Sequence, residues 1–210
     1  MGIREKIEGT YEGEIIEKLD LVYKKIAQEQ KEWRDACGFD CVEGCGKCCV
    51  NFEPDILESE ALYLASWMLD NKRETAEKII DGTFIPARTG AENGCILFDE
   101  VSPYHCTVYN GRCCICRLFG YSGDRGKDGK KRFKPCKFYP EEKKALPFER
   151  RQYSEEEMLS KFSNTAPVMS DSMEQVVTIT PDNTETKPLR EALPEAIKRL
   201  LFLSQFSTAC

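Results

Sequence analysis

Histidine is nearly missing from this sequence: one residue, His105, in 210. A hydrolytic zinc centre built on imidazoles needs two or three, so that class is excluded. A Cys–His nucleophile pair would depend on the same single residue. No apolar run approaches the roughly 18 residues of a membrane span, so no membrane is expected. The first twenty residues, "MGIREKIEGTYEGEIIEKLD", lack the apolar segment of a secretory signal. Met1-Gly2 begins like a myristoylation site, but Glu5 and Lys6 follow where Ser or Thr is needed. No G-x-G-x-x-G, G-x-x-x-x-G-K-[ST] or G-x-S-x-G motif occurs, which argues against the common nucleotide-binding and serine-hydrolase sites. Positive charge is not in excess either. Thirty basic residues face 36 acidic ones, a net charge of −6, so nucleic acid is not an expected partner.

What the chain does have is cysteine. It has twelve, and all but Cys210 lie between residues 37 and 136. A chain without an export signal is expected in the reducing cytoplasm, where clustered thiols bind metals or do chemistry more often than they pair as disulfides. With 41% hydrophobic residues, a core can form without disulfide staples. An extracellular disulfide framework is the alternative if a signal has been removed.

The densest stretch is Cys41–Val50, "CVEGCGKCCV". Thiolates are soft ligands that suit zinc and iron–sulfur clusters, commonly four to each metal unit. A C-x-x-C spacing lets a tight turn aim two thiolates at one ion, and Gly46 supplies backbone freedom for such a turn. In an extended backbone, the adjacent Cys48 and Cys49 would point to opposite sides. They would then serve two metals, or one would ligate while the other packs.

The surrounding periodicity predicts an α+β fold. It is small and helix-rich, with short strands, an irregular metal-stabilised cysteine-cluster core, and helices flanking it at both ends. Three regions are expected: an amphipathic helix within 1–36, a metal-binding core over 37–140, and a strand and helix within 141–210 packing on that core. Ile15, Leu19, Val22, Ile26 and Trp33 share a helical face over 13–35, which should end near Cys37-Gly38. Pro54-Asp55 should open a second helix with Leu57, Ala61, Leu64 and Met68 on its apolar stripe. A short helix is expected over 72–80. Residues 95–99 and 106–109 read as strands joined by a turn at Ser102-Pro103, and 175–180 as another strand. Helices are expected over 154–162 and 186–206, the latter kinked or split at Pro194.

The blocks "CVEGCGKCC", "CILFD", "HCTVY" and "RCCICRLF", followed by a later Cys, resemble the CxxCxxCC or YkgJ-like cysteine-cluster proteins. These are described as zinc- or iron-chelating. The resemblance spans about residues 41–136 and implies eight metal ligands: Cys41, Cys45, Cys48, Cys49, Cys95, Cys106, Cys116 and Cys136. Eight thiols match two four-ligand sites or one larger centre. Two departures stand out. The first two cysteines are separated by three residues instead of two, which leaves the first ligand open between Cys41 and Cys37. Cys113 also follows Arg112 where the family usually has Pro. Cys37, Cys113, Cys114 and Cys210 are left over, read as structural or incidental thiols, with the replacement of a listed ligand by Cys37, Cys113 or Cys114 left open.

A sharper alternative rests on Cys41-x3-Cys45-x2-Cys48, the spacing of the radical S-adenosylmethionine motif. There, three thiolates hold a [4Fe–4S] cluster with one iron open. Flagellin lysine methylases look similar around such a cluster, so protein modification by a methylase-like enzyme stays on the list. Against it, Lys47 precedes the third Cys, a fourth Cys follows at once, and the strand–helix alternation of a barrel is missing.

Other candidates are weaker. In a strand, His105 would point away from Cys106 and reads as a surface residue. Asp99, Glu53 and Glu60 read as helix or turn residues sooner than ligands. The basic run from Arg125 to Lys137 reads as a solvated hairpin tip sooner than a dock for an acidic partner. Arg112 and Arg117, flanking "CCIC", are placed to offset thiolate charge.

The reading is therefore a metal-binding protein holding zinc or an iron–sulfur cluster, with no catalytic residue assigned. A structural zinc site would imply an interaction module with a protein partner. An iron–sulfur centre would imply electron transfer or redox sensing.

Overall fold

A computed structural model of the chain describes residues 2–39, 41, 45–88, 94–138, 149 and 151–206. Cys210 lies outside them. The fold is α+β, with eight α-helices and a few short strands among the described residues.

After the short α1 (Ile3–Lys6), the long α2 spans Tyr11–Cys37. Thr10 caps it, accepting the Gly13 N–H through Oγ1 at 3.1 Å. It ends where expected. Gly38 takes φ 69°, a left-handed cap that a residue with a Cβ adopts only under strain, and returns its N–H to the Arg34 carbonyl. The buried face carries Ile15, Ile16, Leu19, Tyr23, Ile26 and Trp33, while Val22 is half-buried.

The second helix does not begin at Pro54-Asp55. Asp55–Leu57 form strand β1, and α3 runs from Glu58 to Asn71. The helix starts late because residues 55–57 pair antiparallel with the later strand β5 (Thr186–Pro188), Ile56 opposite Lys187. That ladder joins the start of α3 to the start of the last helix, α8 (Leu189–Ser204), and the Leu189 N–H donates to the Pro54 carbonyl. The predicted stripe Leu57, Ala61, Leu64 and Met68 is buried, and so are Leu62, Tyr63, Ala65 and Leu69. A helix buried on nearly every side is a core helix. It is enclosed by α2, α8 and α4 (Arg73–Ile80).

Two further expectations need correction, and a third in part. Residues 95–99 and 106–109 form no ladder; they meet in one antiparallel bridge, Phe98 with Cys106. Pro103–His105 curl into a 3-10 turn in which Tyr104 and His105 both take positive φ, and this bends the segment out of strand pairing. The β-branched run 175–180 is not a strand. Met169–Val177 is helix α7, the seventh in the chain, because Met169, Met173 and Val176 recur at helical spacing and pack on the core. Pro194 lies inside the single helix α8, so of the kink or split expected there the split is absent. The proline removes one rung, and Leu193, Ala196 and Ile197 remain buried around it.

A second, smaller cluster joins the end of α2 to the basic hairpin. Here β2 (Asp124–Arg125), β3 (Lys131–Phe133) and β4 (Tyr153–Ser154) form a three-stranded antiparallel sheet. The Trp33 ring meets Phe133 and Phe162 edge-on, with centroids 5.1 and 5.6 Å apart. Helix α6 (Glu155–Phe162) follows β4, capped by Ser154. No helix among the described residues is long and apolar enough to cross a membrane.

Candidate metal centre

Segments spread between residues 41 and 116 wall one cavity of about 70 Å³. Cys41, Cys45, Gly46, Cys48, Cys49 and Pro54 come from the loop after α2, and Cys95 with Leu97 from the segment after α4. The curl supplies Tyr104, Cys106 and Tyr109. Arg112, Cys113 and Cys116 come from the start of α5 (Cys114–Leu118). The remaining walls are largely apolar, with Phe52, Leu64, Val108, Phe119 and Leu189. The space exceeds the roughly 15 Å³ needed by one water-sized body several times over.

Eight cysteines line this cavity: 41, 45, 48, 49, 95, 106, 113 and 116. Seven are in the sequence-derived set. Cys136 is not among the lining residues; it packs with Tyr121 against the Trp33 cluster, its Cβ 4.0 Å from where a Gly120 Cβ would stand. Cys113, which the sequence reading set aside, lines the cavity instead. Its signal was the C-x-x-C spacing to Cys116. Cys37 and Cys114 are buried in the two hydrophobic clusters and do not line the cavity.

Among the described residues, no three Cys, His, Asp or Glu side chains converge as a ready-made ion site. The sulfurs meet in pairs. Cys48 and Cys49 lie 3.7 Å apart, and Cys113 and Cys116 3.3 Å. With metal–sulfur bonds of about 2.3 Å, two thiolates on one tetrahedral ion sit roughly 3.8 Å apart. Each pair therefore resembles half of a tetrahedral thiolate site, and the donor set fits a thiophilic metal.

The backbone explains how adjacent cysteines come to one side. Gly46 takes φ 51°, and the Cys49 N–H donates to its carbonyl, so the segment turns where an extended chain would splay the two thiols. A Cβ on Gly46 would meet the His105 side chain at 2.5 Å, so only glycine permits this approach. His105 is thus packed against the loop, stacked on Phe98, and not a free surface residue.

Burial and thiol–thiol contacts shift several of these cysteines. Burial pushes Cys95 up to about 12 and also raises Cys106. Cys116 is raised chiefly by its contact with Cys113, then by burial. Cys48 is held down to about 6, chiefly by its sulfur contact with Cys49 and also by the nearby Arg112 guanidinium; the same contact raises Cys49. Arg112 lines the cavity and stacks over the Tyr109 ring at 3.5 Å. Arg117 turns the other way, over Tyr23 at 4.2 Å, so only the first of the two predicted charge-balancing arginines faces the thiols.

The other candidates are structural. Glu53 pairs with Arg190 at 2.5 Å, and Asp99 accepts the Val101 N–H in a turn. In the basic run, Arg125, Lys130 and Arg132 pair with Asp171, Glu156 and Asp128. A larger groove of about 580 Å³ lies between α3, α8 and β5; it contains no cysteine, and its Lys187 and Arg199 already pair with Glu195 and Glu58.

The geometry separates the two thiol pairs in oxidation. Adjacent residues joined by a trans peptide have Cα atoms 3.8 Å apart, below the 4.4 Å lower bound of ordinary disulfides. Metal-free protein treated with a mild thiol oxidant should therefore join Cys113 to Cys116 and leave Cys48–Cys49 open. Peptide mass mapping checks this. A dominant Cys48–Cys49 bridge would contradict the described arrangement.

No curated protein and no solved structure matches the chain. A family model described as a "putative zinc- or iron-chelating domain" matches residues 40–164, a span that holds every cysteine lining the cavity. The chain belongs to the CxxCxxCC family.

Proposed function

We propose that the protein binds zinc or an iron–sulfur cluster through the cysteines of this cavity. The observation that carries the reading is that eight cysteines, spread from residue 41 to residue 116, line one small, largely apolar space and meet there in close pairs. Thiols gathered without metal would be reactive and partly charged, and the metal would tie those segments of the chain together as it binds. The family description, zinc or iron chelation, supports the same reading without choosing between metals. Cys41, Cys45, Cys48, Cys49, Cys95, Cys106 and Cys116 are proposed ligands from the sequence, and Cys113 joins them from the geometry. The eighth sequence-derived ligand, Cys136, is the member that Cys113 replaces.

When bound, zinc would supply a structural crosslink and an iron–sulfur cluster would supply one-electron chemistry. In either case the chain's residues do the same work. The apolar walls exclude water, and Arg112 offsets the thiolate charge. Eight thiolates would fill two four-ligand sites, so closed coordination is proposed, in a reducing cytoplasm. Metal analysis and an absorption spectrum on protein purified without air test this. Stoichiometric zinc in a colourless protein, or iron with visible charge-transfer bands, supports the proposal. Neither metal above background would overturn it.

A further inference from the structure

Two carboxylates are buried among the described residues, Glu12 and Glu60. Glu12 meets a cation, Arg199, at 2.5 Å. Glu60, only 2% exposed, has no ion pair among the described residues. A buried carboxylate without a cation is costly unless hydrogen bonds replace its lost water. Three donors serve Glu60. The Leu57 N–H reaches Oε2 at 3.1 Å, and the Tyr23 hydroxyl reaches Oε1 at 3.2 Å. The shortest contact, 2.6 Å to Oε1, comes from the Cys114 N–H.

That last donor matters because of its position. Cys114 follows Cys113 at the turn that opens the C-x-x-C, and its N–H lies at the N-terminal end of α5. A second clamp acts on the same segment. The Arg117 guanidinium donates to the Arg112 carbonyl and to the Asn110 carbonyl, both at 2.7 Å. The segment is thus held through an N–H from one side and through carbonyls from the other. Its two sulfurs stand 3.3 Å apart, facing the cavity.

We infer that Glu60 is a positioning residue for the metal site. By fixing the Cys114 N–H against α3, it holds the Cys113 and Cys116 sulfurs in place as one half of the thiolate shell. This rests on the metal-binding reading above and adds the residue that orients one of its thiol pairs. Partners that orient ligands from outside the coordination shell typically contribute 10–100-fold in metal affinity.

The test is cobalt(II) titration of the full, reduced, metal-free chain against a competing chelator. Glu60→Gln keeps the side chain's shape but places an amide where only acceptors fit. It is expected to weaken cobalt binding roughly 10–100-fold, while the thiolate-to-cobalt charge-transfer intensity at saturation stays at the wild-type value. Glu12→Gln is the matched control: it removes the charge of the other buried carboxylate, which does not line the cavity, and should lower melting temperature without changing affinity. Equal affinity in Glu60→Gln and wild type, or an equal loss in both variants, would overturn the inference. Should Glu60→Gln fail to fold, Glu60→Asp decides: it keeps the charge but draws the carboxylate back from the Cys114 N–H, and should also weaken cobalt binding, whereas wild-type affinity in that variant overturns the inference. A wild-type chain that binds no cobalt sinks the metal reading itself, and this inference with it.

Discussion

Serine at position 113 is expected to strip metal from the protein, whereas serine at position 136 is expected to leave it bound. The sequence resemblance favours the opposite result, so the pair discriminates sharply. Cys113 lines the cavity 3.3 Å from the Cys116 sulfur, whereas Cys136 packs against the aromatic cluster around Trp33. Loss of metal should also cost stability. A ligand present at 100 times its Kd stabilises a fold by about 2.7 kcal/mol. For a chain of this length that corresponds to roughly 5–10 °C in Tm. Cys45→Ser and Cys48→Ser should behave like Cys113→Ser. Cys210→Ser should change neither metal content nor Tm. Metal analysis beside thermal melts of the five variants checks all of this at once.

Trp33→Ala is expected to be at least as destabilising, but without touching the metal. Trp33 is fully buried, and its ring meets Phe133 and Phe162 edge-on. Truncating a buried aromatic to Ala costs about 3–5 kcal/mol, on the order of 10 °C in Tm here. Trp33 does not line the cysteine cavity. Metal content at temperatures below the transition should therefore equal that of wild type. A variant that loses metal while still folded would show that the two clusters are coupled more tightly than the packing indicates.

These contrasts mark where sequence reasoning reached its limit. The long helix was legible because one face repeats at helical spacing and Gly38 ends it. The start of α3 was not. Pro54-Asp55 looks like a helix opening, but the partner that makes 55–57 a strand lies more than 120 residues away at 186–188. The 175–180 run failed for the converse reason. Its β-branched residues favour strands locally, yet Met169, Met173 and Val176 at helical spacing pack the segment on the core as a helix.

At the site, chemistry was easier to read than membership. Clustered thiols pointed to metal whatever the fold. Which thiols face one cavity depends on turns that spacing does not encode. Gly46 brings Cys48 and Cys49 to one side, and the positive-φ pair Tyr104-His105 curls Cys106 inward. Glu60 went unnoticed as a hub for the same reason. Its partners Tyr23 and Cys114 are 37 and 54 residues distant.

The most direct measurement of the central claim is X-ray absorption on protein purified without air, at the zinc and iron edges. Binding through the cavity cysteines predicts a metal shell of sulfur alone, near 2.3 Å and four per metal, with that shell lost or depleted in Cys113→Ser and intact in Cys136→Ser. A shell dominated by oxygen or nitrogen, or a sulfur shell unchanged by Cys113→Ser, would contradict it.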